Sequence, residues 1–151
     1  MFVGSVEFYV IAFVTTIVVV GILMRPSAKK EGRIVFACGE IVPASGIDDV
    51  VAIAGEGDGR LRFVHKSVRV PAENCEVNYS IAREGRNIKI VEKRVGGAGV
   101  SPEALADVHF CIDGVPQGRY RVFFDAPWCG KWAIGTIVVP LEGQKILDLQ
   151  M

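Results

Sequence analysis

The sequence predicts an all-β domain, an antiparallel β-sandwich, preceded by one N-terminal transmembrane helix. Residues 2–24 form a long apolar run, and no charged side chain follows Glu7 within it. From residue 34 onward, short runs rich in Val, Ile, Tyr and Phe alternate with clusters of Gly, Pro, Asn and Asp, which is the pattern of strands and turns. A small β-barrel is the alternative architecture for such closely spaced strands.

The apolar run from Phe2 to Met24 is long enough to cross a membrane. At about 1.5 Å per residue, the hydrocarbon core of roughly 30 Å needs about 20 residues, and a lone segment in lipid must be helical to satisfy its own backbone polar groups. A cleaved signal peptide is the alternative. No Lys or Arg precedes the run, however, and Leu23–Pro26 lacks the small residues of a cleavage site. We therefore expect residues 1–24 to form a transmembrane helix.

The residues after this helix predict the domain boundary and the orientation. Residues 25–32 (RPSAKKEG) are interpreted as a polar tether, and residues 33–151 as one β-sandwich domain. The basic side chains that flank the helix on this side are Arg25, Lys29, Lys30 and Arg33. Because Lys and Arg accumulate in cytoplasmic loops, they predict a single-pass protein with a cytoplasmic domain, and they are placed to contact anionic lipid headgroups. An exported domain is the alternative.

Charge and cysteine content exclude several classes of function. Lys plus Arg and Asp plus Glu both number 17, so the formal net charge is zero and nucleic-acid binding is disfavoured. The four cysteines are Cys38, Cys75, Cys111 and Cys129. They show no CxxC spacing, which argues against zinc-ribbon and iron-sulfur sites. They would be reduced in the cytoplasm, whereas an oxidising compartment would allow two disulfides in three pairings.

Eight strands are predicted between residues 34 and 139. They are Ile34–Val42, Val50–Ala54, Arg60–Val70, Cys75–Ala82, Asn87–Val95, Asp107–Ile112, Arg119–Phe124 and Trp132–Val139. The apolar residues change parity between Phe63 and Val68, which predicts a β-bulge near residues 64–66. Ser101 as N-cap and Pro102 at the first helical position predict a helix of one or two turns over residues 101–106.

Period-2 alternation in three of the strands predicts which side chains face the core. They are Val77, Tyr79, Ile81, Val108, Phe110, Ile112, Tyr120, Val122 and Phe124.

Residues 115–122 (VPQGRYRV) resemble the P-x-G-x-Y-x-V pattern that leads into a strand of transthyretin-like and related immunoglobulin-like sandwiches. The resemblance implies a sandwich of one of these two kinds. It implies nothing about function, because such sandwiches carry many unrelated activities.

Residues 126–130 (APWCG) resemble the redox motif of the thioredoxin family. In that family a second cysteine stands three positions after the first, and the motif opens a helix that lowers the pKa of the first thiol. Here the position three residues after Cys129 is Trp132, and Ala133–Val139 has the pattern of a strand. A capping loop on the sandwich is therefore the favoured interpretation.

A metal site is a second hypothesis for this domain. His109 and Cys111 are two positions apart on a predicted strand and so share one face, and Cys129 or His65 is a candidate third ligand. No carboxylate cluster completes the set, so we expect no metal and no other cofactor.

Basic and aromatic residues in the last third of the domain suggest a binding surface. They are Arg119, Arg121, Trp128, Lys131 and Trp132. Exposed Trp beside Arg is typical of protein–protein interfaces, although both Trp side chains could instead close the end of the core. We expect a non-enzymatic binding or assembly module, an accessory subunit of a membrane complex, with the lipid bilayer and a membrane protein as partners. The alternatives are a membrane-tethered thiol or metal enzyme centred on Cys129 or on His109 and Cys111, and an exported ligand-binding sandwich.

Overall fold

The structure is a computed structural model that describes residues 33–96 and 102–151. The predicted transmembrane helix (residues 1–24), the tether (residues 25–32) and the side chain of Arg33 lie outside the described part. Within the described ranges, no helix has the length and apolar character needed to span a bilayer.

Ten strands account for most of the described residues. They are β1 (Arg33–Cys38), β2 (Glu40–Pro43), β3 (Val50–Gly55), β4 (Leu61–Pro71), β5 (Cys75–Glu84), β6 (Asn87–Gly96), β7 (Glu103–Ile112), β8 (Gly118–Ala126), β9 (Lys131–Val139) and β10 (Gln144–Asp148).

The strands form two packed five-stranded sheets, which confirms the all-β prediction. Sheet A has the order β1-β5-β6-β8-β9, and sheet B has the order β10-β3-β4-β7-β2. Every neighbouring pair is antiparallel except β6 and β8, which run parallel. The expectation of a purely antiparallel sandwich is therefore wrong at one place. The reason is that β7, which joins β6 to β8 along the chain, belongs to sheet B, so the chain crosses to the other sheet and returns in the same direction.

The first predicted strand, residues 34–42, is in fact two strands in different sheets. β1 pairs with β5 in sheet A, and β2 pairs with β7 in sheet B. Gly39 is the residue at which the chain changes sheets, and its amide donates to the Val77 carbonyl over 2.7 Å. A Cβ atom at this position would lie 2.6 Å from Cγ1 of Val108 and 2.9 Å from the Val77 carbonyl oxygen. The crossing therefore needs a residue without a side chain.

Two further elements differ from the prediction. Residues 103–106 are not helical but begin β7, in which Ala104 pairs with Val70 and Ala106 with Val68 of β4. Pairing along a long neighbouring strand outweighs the weak local preference of such a short segment for helix. The sequence also did not predict β10, where only Leu147 is buried, because one inward side chain creates no alternating pattern.

The β-bulge is confirmed. His65 pairs with Val108 and the next pair is Val68 with Ala106, so two residues of β4, Lys66 and Ser67, stand opposite the single residue Asp107 of β7. Ser67 has a φ of 53°, the left-handed conformation that an irregular residue in a bulge can adopt. The bulge changes the parity of β4, so that both His65 and Val68 face the core.

The core lies between the two sheets and contains the predicted residues. Val77, Tyr79, Ile81, Val108, Phe110, Tyr120, Val122 and Phe124 are buried, as predicted, whereas Ile112 is only partly buried. At its centre the rings of Tyr79 and Phe110 stack with centroids 3.7 Å apart, and the rings of Phe63 and Phe110 stack with centroids 5.0 Å apart. Aromatic rings from both sheets thus meet in one stack.

The change of sheets at Gly39 predicts a sharp difference between two glycine substitutions. We expect Gly39→Ala to lower the free energy of unfolding by about 1–3 kcal/mol, because the new methyl group overlaps Val108 and the Val77 carbonyl. Gly46→Ala is the matched control, since its Cβ would meet no atom within 4 Å, and it should change stability by less than about 0.5 kcal/mol. Urea denaturation of both variants measures the difference. Equal stabilities would contradict the role assigned to Gly39.

Candidate functional site

A buried carboxylate, that of Glu92 on β6, is the centre of a polar network inside the sandwich. Its side chain is fully buried. Three groups donate hydrogen bonds to it: the Tyr79 hydroxyl at 2.7 Å, the Trp128 indole nitrogen at 2.8 Å, and Nδ1 of His65 at 2.9 Å. Glu92 faces inward because it continues the alternation of Ile88 and Ile90, and the β5–β6 register places it opposite Tyr79.

The network continues from His65 to the protein surface. Nε2 of this fully buried imidazole lies 3.1 Å from Oδ1 of Asp49, and the other oxygen of Asp49 forms an ion pair with Lys131. With His65 protonated, two cations therefore balance the two carboxylates of Asp49 and Glu92. A buried charge is tolerated only when it is paired and hydrogen-bonded in this way.

Ionisation in the network follows from these contacts. Burial alone would lower the pKa of His65, but its hydrogen bonds to Asp49 and Glu92 outweigh burial and raise it from 6.5 to about 9. Burial, followed by the charge of Glu92, raises the pKa of the Tyr79 hydroxyl, which stays a donor. Burial opposes ionisation of Asp49 too, yet the hydrogen bonds from His65 and Lys131 lower its pKa overall. The network is therefore a set of closed ion pairs at neutral pH.

Asp49 reaches this position on a loop, residues 44–49, that is fastened to sheet B. The buried carboxylate of Asp107 accepts hydrogen bonds from the Ser45 hydroxyl at 2.6 Å, the Ser45 amide at 3.1 Å and the Ser67 amide at 2.9 Å. The hydroxyl of Ser67, the bulge residue, donates to the Gly46 carbonyl over 2.8 Å. The bulge in β4 therefore both brings Val68 to the core face just after His65 and holds the loop that carries the partner of His65.

A solvent-open cleft of about 730 Å³ lies next to the network. It is lined by Ile47, Asp49, Ser67, Val68, Arg69, Arg94, Glu103, Leu105, Trp128, Cys129 and Lys131. Trp128 links the two features, because its indole nitrogen donates to Glu92 while the Arg94 guanidinium lies over its ring, 5.0 Å from the centroid. We refer to this feature as the Trp128 cleft.

The acid–base groups beside the Trp128 cleft are already occupied. Both nitrogens of His65, both oxygens of Glu92 and both oxygens of Asp49 have partners within the protein. Among the described residues, no buried side-chain nitrogen or oxygen lacks a hydrogen-bond partner. Proton transfer to a substrate would first require one of these bonds to break, so the arrangement suits binding better than acid–base catalysis.

Cys129 lies in the turn between β8 and β9. Its thiol donates to the Ala126 carbonyl at 3.4 Å. Burial and the nearby charge of Glu92 raise its pKa, whereas the thioredoxin-like mechanism needs a lowered one. The predicted strand after the motif is confirmed, since β9 begins at Lys131. All four cysteines are in the described part of the chain, and all are free thiols.

The structure separates the side chains that were predicted to form one basic-aromatic surface. Trp128 and Lys131 line the cleft. Trp132 instead packs near Phe123, with ring centroids 6.3 Å apart. Arg119 and Arg121 line a different groove, of about 550 Å³, together with Arg86, Asn87 and Thr136. The alternation of β8 and β9 places Arg119, Arg121 and Trp132 opposite to the buried Tyr120 and Ala133, on the outer face of sheet A.

The candidate metal ligands are not brought together as one set. The β4–β7 register pairs His65 with Val108 and His109 with Val64, so the two histidines face opposite sides of sheet B. Among residues 33–96 and 102–151, no group of three His, Cys, Asp or Glu side chains is placed to hold a metal ion.

Sequence reasoning missed the central residues of the network, Asp49, His65, Tyr79 as a donor, and Glu92. One signal was present, because Ile88, Ile90 and Glu92 share a parity and the third of them had to face the core. An inward-facing Glu requires donors, but the identity of those donors depends on which strands pair. No local sequence pattern indicated that Ile47 and Arg94 would line a cleft.

The raised pKa of His65 predicts how stability depends on pH. The folded-state value of about 9 lies above the unfolded value of 6.5, so the contribution is complete below pH 6.5 and is lost as pH rises through 9. Over this pH range, we expect the free energy of unfolding of the wild-type protein to fall by on the order of 3 kcal/mol more than that of the His65→Gln variant. Chemical denaturation of both proteins at several pH values measures the difference in their free energies of unfolding. The four thiols titrate in both proteins, so their effect cancels in this difference. Parallel curves for the two proteins would contradict a charged His65.

Comparison with known proteins gives no relative for this chain: no family model, no curated protein and no solved structure matches it significantly.

Proposed function

We propose that this chain is a single-pass membrane protein whose β-sandwich domain lies in the cytoplasm. In this proposal the domain is a non-enzymatic binding or assembly module, an accessory subunit of a membrane complex, and the Trp128 cleft is its binding surface. The observation that carries the proposal is the contrast within the cleft: its acid–base groups are closed into internal pairs, whereas its apolar and guanidinium groups are presented to solvent.

The composition of the rim supports binding of a partner protein. Ile47 is 85% exposed and Leu105 is 40% exposed, although both are apolar. Trp128 is half-buried and its ring is covered on one side by Arg94. Trp and Arg are the residues most enriched among those that dominate binding energy in protein interfaces.

The sequence of residues 1–33 supports the membrane part of the proposal. An apolar run of sufficient length, which ends at Met24, is followed by four basic side chains and one acidic side chain. This asymmetry favours a cytoplasmic domain, and the same cations suit contact with anionic lipid. A tether of eight residues, 25–32, would keep the domain and its partner close to the bilayer.

We also propose that the two packed sheets belong to the immunoglobulin-like or transthyretin-like class of sandwich. One contact supports this assignment: the Tyr120 hydroxyl donates to the Pro116 carbonyl over 2.9 Å, four residues earlier in the chain. A tyrosine at the start of a strand that bonds back to the preceding backbone is a recurrent corner in immunoglobulin-like sandwiches.

Site-specific photo-crosslinking tests the binding surface. We expect a photoreactive amino acid at Ile47 to give one discrete adduct in the membranes of living cells. The same amino acid at Gln117, an exposed residue outside the cleft, should give none. Trp128→Ala in the Ile47 variant should remove the adduct, because the hot-spot side chain is gone. No adduct from Ile47, or an adduct that survives Trp128→Ala, would contradict the assignment of the cleft.

Fractionation and thiol labelling test the topology. We expect the protein to stay in the membrane pellet after carbonate extraction. The exposed Cys38 should react with a membrane-impermeant maleimide only after the cells are permeabilised. Cys38→Ser identifies the signal from this residue against the three partly buried thiols. Reaction of Cys38 in intact cells would place the domain outside the cytoplasm and would favour the exported sandwich.

A further inference from the structure

We propose that the Trp128 cleft binds an acidic segment of a partner protein, in which a carboxylate is held by Arg94 and Arg69 and a neighbouring apolar side chain contacts Ile47 and Leu105. This inference rests on the proposed function and adds the chemistry of the partner.

Arg94 has the chemistry of an anion receptor. Its guanidinium lies over the Trp128 ring, 5.0 Å from the centroid, and a cation–π contact of this kind uses none of its N–H donors. No ion pair joins Arg94 to a carboxylate among the residues that the structure describes. Residues 97–101 (GAGVS), which follow shortly after it in the chain, carry no acidic side chain that could occupy it.

The other charges of the cleft leave it locally positive. Lys131 and Asp49 neutralise each other. Arg69 and Glu103 are exposed, and within the described ranges neither takes part in an ion pair. Two guanidinium groups therefore stand against one carboxylate in a chain whose formal net charge is zero. Because both guanidinium groups line the same cleft, a ligand carboxylate bound there has two candidate partners, and bidentate Arg–carboxylate pairs are among the strongest charge-assisted hydrogen bonds.

The apolar rim specifies what should accompany the carboxylate. Leu105 pairs with Arg69 across β4 and β7, so an apolar and a basic side chain stand next to each other. Ile47, at 85% exposure, is the most exposed apolar residue of the lining. An acidic residue with an apolar neighbour matches this alternation, whereas a purely acidic segment would leave Ile47 and Leu105 in water.

The shape of the cleft favours a protein segment over a small molecule. Small-molecule sites bury about 70–90% or more of the ligand, and a side chain as exposed as Ile47 does not enclose one. A partner segment needs only one covered face, because the rest of the partner covers the other. The site is also preorganised: Trp128 is fixed by its 2.8 Å bond to Glu92, and the loop that carries Ile47 is fixed by Asp107. Little ordering is then required on binding.

A peptide selection tests the inference. The full-length protein in lipid nanodiscs is the target, and peptides that bind it are selected from a displayed library of random heptapeptides. We expect enriched sequences to contain Asp or Glu beside Leu, Ile or Phe. A synthetic peptide with the selected sequence should bind with a dissociation constant that rises as salt is added. Arg94→Gln should weaken its binding about tenfold, and Arg94→Lys by a smaller factor, because the lysine keeps the charge but not the planar fork.

Arg86→Gln is the matched control, because Arg86 is also exposed and also lies over an aromatic ring, that of Tyr120, at 5.2 Å. It precedes β6, whereas Arg94 is near the end of that strand, so this variant should change binding less than about twofold. Thermal unfolding of each variant shows whether it is folded.

The remaining outcomes overturn the inference, in distinguishable ways. Selection of neutral or basic peptides, or equal weakening by Arg94→Gln and Arg86→Gln, refutes the acidic ligand while the cleft remains a binding surface. A library that yields nothing, combined with an adduct from the photoreactive residue at Ile47, refutes the acidic ligand and retains the proposed function. If neither selection nor crosslinking succeeds, both proposals fail.

Discussion

The requirement to satisfy the carboxylate of Glu92 dominates the interior of this domain. A carboxylate in an apolar core costs several kcal/mol unless donors surround it, and here three donors come from three separate parts of the chain. Tyr79 lies beside it in sheet A, His65 reaches it from sheet B, and Trp128 reaches it from a turn. A shift of one sheet relative to the other would separate His65 from Glu92 and leave the carboxylate with one donor fewer.

The same constraint extends outward to the surface. His65 can serve Glu92 as a charged donor only because Asp49 compensates its second nitrogen, and Asp49 is in turn neutralised by Lys131. Its loop is held by a second buried carboxylate, that of Asp107. Trp128 belongs to both the network and the cleft, because its indole nitrogen donates to Glu92 while the Arg94 guanidinium lies over its ring. In the proposed function, stability and recognition therefore share this residue, and the exposed groups of the cleft determine what binds.

Alternation in the sequence predicted the sheets well and the site poorly, for a physical reason. Period-2 patterning is local, so it identified Tyr79, Phe110 and Phe124 as core residues and placed the bulge in β4. The change of sheets at Gly39 and the strand at residues 103–106 depend on partners far along the chain, and local preference was misleading there. The network joins residues 49, 65, 79, 92, 128 and 131, which become neighbours only once strand order and register are set.

The crossing at Gly39 also has a mechanical consequence. Any pulling force that reaches the domain from its N-terminal side enters β1, an edge strand that pairs only with β5. Two residues after the end of β1 the same chain is part of sheet B, where β2 pairs with β7, and between the two strands the Gly39 amide donates to the Val77 carbonyl. A load from this side therefore acts on the β1–β5 pairing first, and peeling of β1 would stop at the point where the chain enters the second sheet. The domain could yield at its first strand under tension and keep the rest of its structure intact.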